Sequence, residues 1–290
     1  MRKQFKQTVT DLSEQDNRIV LLFGDISVYL FNEFKQRYPE RFYNMGICEN
    51  TLISVAAGLS SQGFVPFVHS IAPFITERSL EQIKLDLCYN QFGANIVSCG
   101  ASFDYAWDGA THNCYTDIAI LRLLPGIQVV QPGSLKELDI LLRDQYASGK
   151  TTYYRLSDHP HNIDFPVKFG KGATLKDTGS SVTVMTAGPI LQSVFDACQG
   201  LDVNLVYFHT IKPIDHDLIT KFKDTKILVV HDAFGLYEAI CEVPNILVTY
   251  YGLPDNFCSW YGTLHDIRKQ AGLHVEGIRS IVKDFINKSR

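Results

Sequence analysis

The chain has 290 residues, of which 46% are apolar and 20% are charged, and its formal net charge is -4. This composition supports folded cores and excludes an intrinsically disordered chain, and it gives no basis for binding nucleic acid or an anionic membrane. The apolar runs have the length of strands, and the N-terminal residues show no signal-peptide pattern. The seven cysteines are scattered without a CxxC pair, which favours reduced thiols in the cytoplasm over disulfides or a zinc site.

Helical and strand patterns alternate along the first half of the chain. Helices are predicted at 5–12, 29–38, from Glu49 onwards, and at 74–89, 116–124 and 134–147. Short apolar strands are predicted between them at 18–23, 42–45, 64–68, 94–99, 127–130 and 151–155. Buried strands that are separated by helices of this length indicate a doubly wound, mostly parallel α/β sheet.

The segment 156–171 interrupts this alternation. It contains two prolines and has little hydrophobic periodicity, so we predict a linker there. The alternation then restarts, with strands predicted at 181–185, 203–209, 226–231 and 246–250. The sequence therefore predicts two doubly wound α/β domains with mostly parallel sheets, over 1–155 and 172–290.

A glycine and an acid mark the start of the helix at Glu49. Gly46 permits a tight turn after the preceding strand, and the small residues of the helix allow close approach to a neighbouring backbone. The helix dipole favours the negative charge of Glu49 in the first turn. Ligands of open parallel sheets bind outside the carboxyl ends of the strands, so Glu49 is expected to share a cleft with three other strand-end segments: Gly24-Asp25, 69–74 and 100–112.

Several motifs, in the same order, resemble the transketolase family of thiamine-diphosphate enzymes over nearly the whole chain. In the first predicted domain they are Gly46-Ile47-Cys48-Glu49, Ala57-Gly58-Leu59, Phe74 with Arg78, Asp108-Gly109-Ala110-Thr111-His112 and Asp117-Ile118-Ala119. In the second they are Thr186-Ala187-Gly188, Ile211-Lys212-Pro213-Ile214-Asp215 and Gly252-Leu253-Pro254-Asp255. The resemblance implies the pyrimidine-binding domain followed by the C-terminal domain of that family.

The resemblance assigns four residues to the cofactor, thiamine diphosphate. Glu49 would contact N1′ of the aminopyrimidine and take part in proton transfer there, which makes it both catalytic and cofactor-binding. Phe74 would place its ring against the aminopyrimidine, and Ile71 stands at a position that is often aromatic in relatives. Arg78 is either a residue of the cleft or the partner of a neighbouring acid.

The resemblance also implies substrate contacts in the loop before residue 113. Asp108 and His112 fit the family's Asp-Gly-x-Thr-His pattern, so they would hydrogen-bond a sugar hydroxyl or carbonyl, and His112 would stabilise developing charge. Gly100 stands where transketolases usually carry a histidine.

Three further substrate positions lie outside that loop. Asp158 stands where relatives carry a phosphate-binding arginine, Arg2 aligns with another such arginine, and Ser27 lies near the matching serine. A carboxylate in place of a guanidinium repels a phosphate and loses bidentate geometry. We therefore expect non-standard specificity, for instance an unphosphorylated or nucleotide-linked sugar.

A motif of the family is missing from the sequence. Relatives hold the Mg²⁺ of the diphosphate through a Gly-Asp-Gly motif with a later Asn, and no Gly-Asp-Gly occurs here. The resemblance therefore implies the C-terminal, or β, subunit of a split enzyme. A separate diphosphate-binding subunit would ligate the Mg²⁺, the assembly would be α2β2, and this chain would be inactive alone and hold no metal.

The preferred interpretation is a transferase that moves a two-carbon ketol or acyl unit to a sugar acceptor. The β subunit of a 2-oxoacid dehydrogenase or decarboxylase, and a non-catalytic partner-binding relative, remain open. The motif at 108–112 favours the transketolase type, and Glu49 with Phe74 favours catalysis. The family's C-terminal domain has no direct catalytic role, so four polar residues at its strand ends are interpreted as structural: His209, Asp215, His231 and Asp232.

Overall fold

The structure, a computed structural model, describes residues 1–288. The strands are Ile19–Phe23 (β1), Phe42–Asn44 (β2), Val65–Ile71 (β3), Asn95–Cys99 (β4), Gln128–Val130 (β5), Thr152–Arg155 (β6), Ala173–Lys176 (β7), Val182–Ala187 (β8), Asn204–Phe208 (β9), Thr210–Lys212 (β10), Lys226–Val230 (β11) and Leu247–Tyr251 (β12). The α-helices are Arg2–Gln15 (α1), Asn32–Arg37 (α2), Glu49–Ser61 (α3), Ala72–Thr76 (α4), Leu80–Gln82 (α5), Asp117–Arg122 (α6), Leu135–Gln145 (α7), Leu191–Ala197 (α8), His216–Lys221 (α9), Leu236–Ile240 (α10), Leu264–Gln270 (α11) and Val275–Asn287 (α12).

The strands form two sheets, and both are mostly parallel. The first sheet has the order β10-β5-β6-β4-β3-β1-β2, and the second has the order β12-β11-β8-β9-β7. In each sheet one edge strand is antiparallel: β10 beside β5, and β7 beside β9. All five residues of β1 and of β4 are buried, as expected for parallel strands that are covered on both faces. The predicted α/β class with mostly parallel sheets is confirmed.

The antiparallel strands β7 and β10 are absent from the predicted strands. Each has three or four residues, and β7 is only partly buried, so neither shows a long apolar run. The strand β10 belongs to the second half of the sequence but pairs with β5 of the first sheet. This pairing ties the two halves together, and the division at 155 and 172 stays a prediction.

The prediction of one continuous helix over 74–89 is wrong. The helix α4 ends at Thr76, α5 begins at Leu80, and a wider π-helical segment follows at Ile83–Tyr89. Between α4 and α5, the backbone N–H of Arg78 bonds to the carbonyl of Pro73, five residues earlier, at 3.2 Å. This local widening breaks the regular turn, and it sets Arg78 in a connection instead of inside a helix.

The main hydrophobic core joins the two halves of the chain. One buried cluster contains Ile118 and Leu121 of α6 together with Leu236 and Ile240 of α10. The two short helices therefore pack between the sheets and hold the loop before α6 against the second half. Within residues 1–288, the helices are all too short or too polar to span a membrane.

Candidate functional site

Predicted site residues gather at the carboxyl edge of the first sheet. The parallel strands β2, β1, β3, β4 and β6 are neighbours, so their carboxyl ends lie along one edge. Glu49 follows β2, Ile71 ends β3, Gly100 follows β4 and Asp158 follows β6. The topology thus places four segments that are distant in sequence beside one another.

Glu49 is the first residue of α3 and its carboxylate is anchored from two sides. The residue is 1% exposed. One carboxylate oxygen accepts a hydrogen bond from Ser70 Oγ at 3.1 Å, and the other accepts one from Arg78 Nη1 at 2.8 Å. A buried carboxylate needs such partners, and two of them fix the direction in which it can act on a ligand.

A cation and two rings extend from Glu49 towards the loop at 100–113. The guanidinium of Arg78 lies 4.6 Å from the ring centroid of Phe74, in the geometry of a cation–π contact. The ring of Phe74 in turn meets the ring of His112 nearly at right angles, with centroids 5.2 Å apart. Glu49, Arg78, Phe74 and His112 therefore form a continuous series of contacts. Ile71 lies half-buried directly before the helix that carries Phe74.

The loop at 100–113 has a shape that depends on two tyrosines. Gly100 has φ +74°, and a Cβ at this position would lie 2.4 Å from the ring of Tyr105. The space beside Gly100 is therefore filled by Tyr105, whose ring also faces His112 at a centroid distance of 6.3 Å. Gly109 likewise lies under the ring of Tyr261, which comes from the second half of the chain.

The polar residues of this loop differ in their partners. His112 Nδ1 lies 2.9 Å from Thr111 Oγ1, which fixes the ring through its own neighbour. Asp108 is exposed, and its carboxylate has no hydrogen-bond or ion-pair partner within residues 1–288. Asp108 is thus free to accept hydrogen bonds from a ligand, as its predicted role requires.

Arg2 and Asp158 are brought together as an ion pair. Arg2 donates from Nη2 at 2.8 Å and from Nε at 3.4 Å to the two carboxylate oxygens of Asp158. The backbone N–H of Asp158 donates to buried Asp104 at 2.8 Å, which fixes the position of the pair. Burial raises the pKa of Asp104 to about 7, while its hydrogen bonds from Asp158 and Ser157 act in the opposite direction.

Ser27 is directed into the core and away from the cleft. It is buried and its hydroxyl lies 3.1 Å from Nε2 of His69. Nδ1 of His69 lies 2.7 Å from the carbonyl oxygen of Val97, which can only accept, so Nδ1 carries the proton and Nε2 accepts from Ser27. Burial lowers the pKa of His69 to about 4. The hydroxyl of Ser27 is already engaged, and its substrate role stays a prediction.

Three residues that line this region were not among the predicted site residues: Ser70, Tyr105 and Asn113. Asn113 is 5% exposed, and within the described residues both its amide oxygen and its amide nitrogen lack a hydrogen-bond partner. A buried amide without partners is costly unless a ligand or water satisfies it. Its place directly after His112 was the available signal.

Metal ligands do not cluster in this chain. Within residues 1–288, His, Cys, Asp and Glu side chains form no group of three or more that could hold a metal ion. The prediction that a partner subunit ligates Mg²⁺ stays a prediction.

Comparison with known proteins gives consistent matches. The family model of the transketolase pyrimidine-binding domain matches residues 1–158. One of the two subunits of the apulose-4-phosphate transketolase of Phocaeicola vulgatus is 32% identical, over 99% of this chain and 97% of its own. The putative transketolase C-terminal section of Methanocaldococcus jannaschii is 28% identical, over 99% and 96%. A solved structure described as a split gene transketolase, inactive beta4 tetramer, superposes with a TM-score of 0.86 at 26% identity, covering 100% of this chain and 98% of its own.

Proposed function

The chain belongs to the transketolase family, and we propose that it is the pyrimidine-binding, or β, subunit of a split thiamine-diphosphate-dependent transferase of the transketolase type. The observation that carries this proposal is the buried carboxylate of Glu49 at the start of α3, with Phe74 close by through Arg78. The split arrangement is supported by relatives that are described as a transketolase subunit and as a C-terminal section, and that match almost end to end.

The residues present fit the pyrimidine half of the cofactor. A ring nitrogen needs a carboxylate that shares a proton with it, and a flat heterocycle needs a half-buried aromatic face, which Glu49 and Phe74 supply. When bound, thiamine diphosphate supplies an electron sink for the bond that is broken in the transferred two-carbon unit. Glu49 would hold the proton at N1′, and Arg78 would keep the carboxylate of Glu49 in place.

The substrate would lie over the loop at 100–113. Asp108 would accept hydrogen bonds from sugar hydroxyls, because its carboxylate lacks a partner among the described residues. His112, fixed by Thr111 and by the ring of Phe74, would donate to the substrate oxygen where charge develops. The transferred unit is a two-carbon ketol or acyl group, and the acceptor is a sugar.

A second subunit would complete the site. The solved relative is described as an inactive tetramer of β chains, which supports a β chain that needs its partner for activity. We propose that the partner binds the diphosphate and Mg²⁺, that the assembly is α2β2, and that this chain alone does not turn over. The seven cysteines are free thiols, which supports a cytoplasmic location.

Co-purification tests this proposal directly. The chain is co-expressed with the product of the same genome that carries a Gly-Asp-Gly motif, and the complex is incubated with thiamine diphosphate, Mg²⁺, ketoses and pyruvate. We expect turnover of a ketose by the pair and by neither chain alone. Consumption of pyruvate without a ketose would favour the 2-oxoacid type. A pair that does not form, or does not bind the cofactor, would overturn the proposal.

A further inference from the structure

The ion pair of Arg2 and Asp158 lies at the edge of the site and neutralises itself. Both carboxylate oxygens of Asp158 receive an N–H group of Arg2, and the two side chains remain 24% and 33% exposed. The guanidinium therefore has its bidentate acceptor within the protein. A ligand that reaches this point meets a paired, neutral surface instead of a free cation.

Tyr105 connects this pair to the loop that carries His112. Its ring lies over Gly100 and faces His112. Burial lowers the pKa of Arg2, but Tyr105 and Asp158 act against burial and raise it above its ordinary value, which shows that the three side chains are neighbours. The series of contacts from Glu49 thus continues through His112 and Tyr105 to the ion pair.

The ion pair also faces open space. Arg2 and Asp158 line a surface cavity of about 490 Å³ together with Tyr29, Leu30 and Pro160. A substrate that is bound at His112 and extends past Tyr105 would place its far end beside the ion pair. The groups available there are a carboxylate, a shared guanidinium and a phenol.

We propose that Arg2, Asp158 and Tyr105 bind an uncharged, hydroxyl-bearing end of the sugar substrate and discriminate against a phosphate there. This inference rests on the proposed function, because it takes the site to be one for sugars. It adds the chemical class of the substrate at the end remote from the transferred unit.

The chemistry of the three groups favours hydroxyls. A phosphate dianion would have to take Arg2 from Asp158 and would remain beside an uncompensated carboxylate, which repels it. A hydroxyl can donate to Asp158 without separating the pair. It can also pair with the hydroxyl of Tyr105, whose partner in the described part of the chain is the thiol of Cys99 at 3.6 Å, a weak acceptor.

Binding of a matched pair of sugars tests this discrimination. Ribose and ribose 5-phosphate are titrated by calorimetry into the full chain, alone and in the reconstituted complex, as wild type, Arg2→Met and Asp158→Asn. We expect Arg2→Met to leave the affinity for ribose 5-phosphate unchanged. Asp158→Asn frees Arg2 for the phosphate and should tighten ribose 5-phosphate binding by at least about ten-fold, the size of one hydrogen bond to a charged group. Adding Arg2→Met to Asp158→Asn should abolish that gain.

Two further variants keep the test specific. Glu33→Gln frees Lys6 of the same helix α1 from its 2.9 Å ion pair and should bring no gain for phosphate. Tyr105→Phe keeps the ring over Gly100 and removes the hydroxyl, so it should weaken the binding of ribose and leave the gain in Asp158→Asn intact.

Two results would overturn the inference: a ten-fold or greater loss of ribose 5-phosphate affinity in Arg2→Met, or no gain in Asp158→Asn. Failure of the proposed function is a different result. It would appear as a wild-type complex that turns over no ketose, whereas the charge test is a binding measurement on the same samples.

Discussion

The carboxyl edges of the two sheets have the same topology but differ in how their polar residues are satisfied. At the first edge, Glu49 is anchored by Ser70 and by a half-exposed Arg78, and Asp108 has an open carboxylate within the described chain. At the second edge, Asp232 is buried and accepts hydrogen bonds from both Ser102 and Arg268. The second edge is closed by the protein itself.

His231 follows the same rule as Asp232. It is fully buried, and its Nε2 lies 3.0 Å from the amide oxygen of Gln131, a residue of the first half of the chain. Asp215 caps α9 through the backbone N–H of Leu218 and pairs with Lys171. A polar residue at a strand end is therefore available for chemistry only when the fold leaves part of its hydrogen-bonding capacity unused.

The largest effect is expected for Glu49→Gln, which tests the open edge. The amide cannot exchange the proton that Glu49 is proposed to share with the cofactor, so kcat of the reconstituted complex should fall by about 10²–10⁴-fold. The variant keeps the size of the side chain, and its partner Arg78 is 47% exposed, so the unfolding temperature should change little.

Exposed Glu81, on the helical segment next to Arg78, provides the matched control. Glu81→Gln removes the same charge from the same region and should leave kcat unchanged. Near-normal turnover in Glu49→Gln would remove the basis for treating the first edge as the catalytic one.

The second prediction concerns the closed edge. Asp232→Ala leaves the buried guanidinium of Arg268 without its acceptor at 2.7 Å, and breaking a buried ion pair in this way costs about 3–5 kcal/mol. Urea denaturation should show this loss in the free energy of unfolding, while kcat of the folded complex at low temperature stays close to wild type. Exposed Asp255→Ala is the control. A stable but inactive Asp232→Ala variant would contradict the division between the edges.

The fold was predictable because parallel strands that are covered on both faces are continuous apolar runs. The pattern of β1, for example, needs no partner to be recognised. The strands β7 and β10 were not predictable, since each is short and is defined by its antiparallel neighbour more than by its own residues. The break before Arg78 was also hidden, because good helix-forming residues surround it.

The site divides in the same way. Glu49, Phe74 and His112 lie in motifs that the sequence displays, and the structure brings them into one series of contacts. The importance of Tyr105 depends on its ring lying over Gly100, and that of Asn113 on a burial that leaves its amide unpaired. Such relations exist only in the folded chain, so no local spacing reveals them.

A third prediction separates the edges by pH. Burial lowers the pKa of His231 to about 4, below the ordinary value of 6.5. Between these values the unfolded chain binds a proton that the folded chain does not, so the folded state loses stability as the pH falls through this range.

Replacing His231 by Gln should remove this loss. Gln can still donate to Gln131, and between pH 7 and pH 5 the variant should lose less unfolding free energy than wild type, by on the order of 1–2 kcal/mol. Urea denaturation at both pH values measures the difference, with exposed His265→Gln as the control. Equal pH dependence in wild type and His231→Gln would mean that His231 is not held neutral in the folded protein.

The smallest expected effect, for Phe74→Leu, sharpens the comparison most, because an aromatic residue also lies at the second edge. Leucine keeps apolar contact but removes the flat face, the cation–π contact with Arg78 and the ring contact with His112. Such contacts are worth about 0.5–1.5 kcal/mol, so the Kd of the complex for thiamine diphosphate should rise by about two- to ten-fold.

Phe234 is the counterpart at the second edge, where its ring packs against Tyr115 and Tyr250 with centroids 6.0 and 6.2 Å away. Phe234→Leu removes a similar flat face from surroundings that the protein itself fills, so it should lower stability and leave the Kd for the cofactor unchanged. The pair of variants asks whether a ring acts on the ligand or on the fold. If both raised the Kd equally, the cofactor would be sensing general loosening of the chain, and the open edge would lose its special standing.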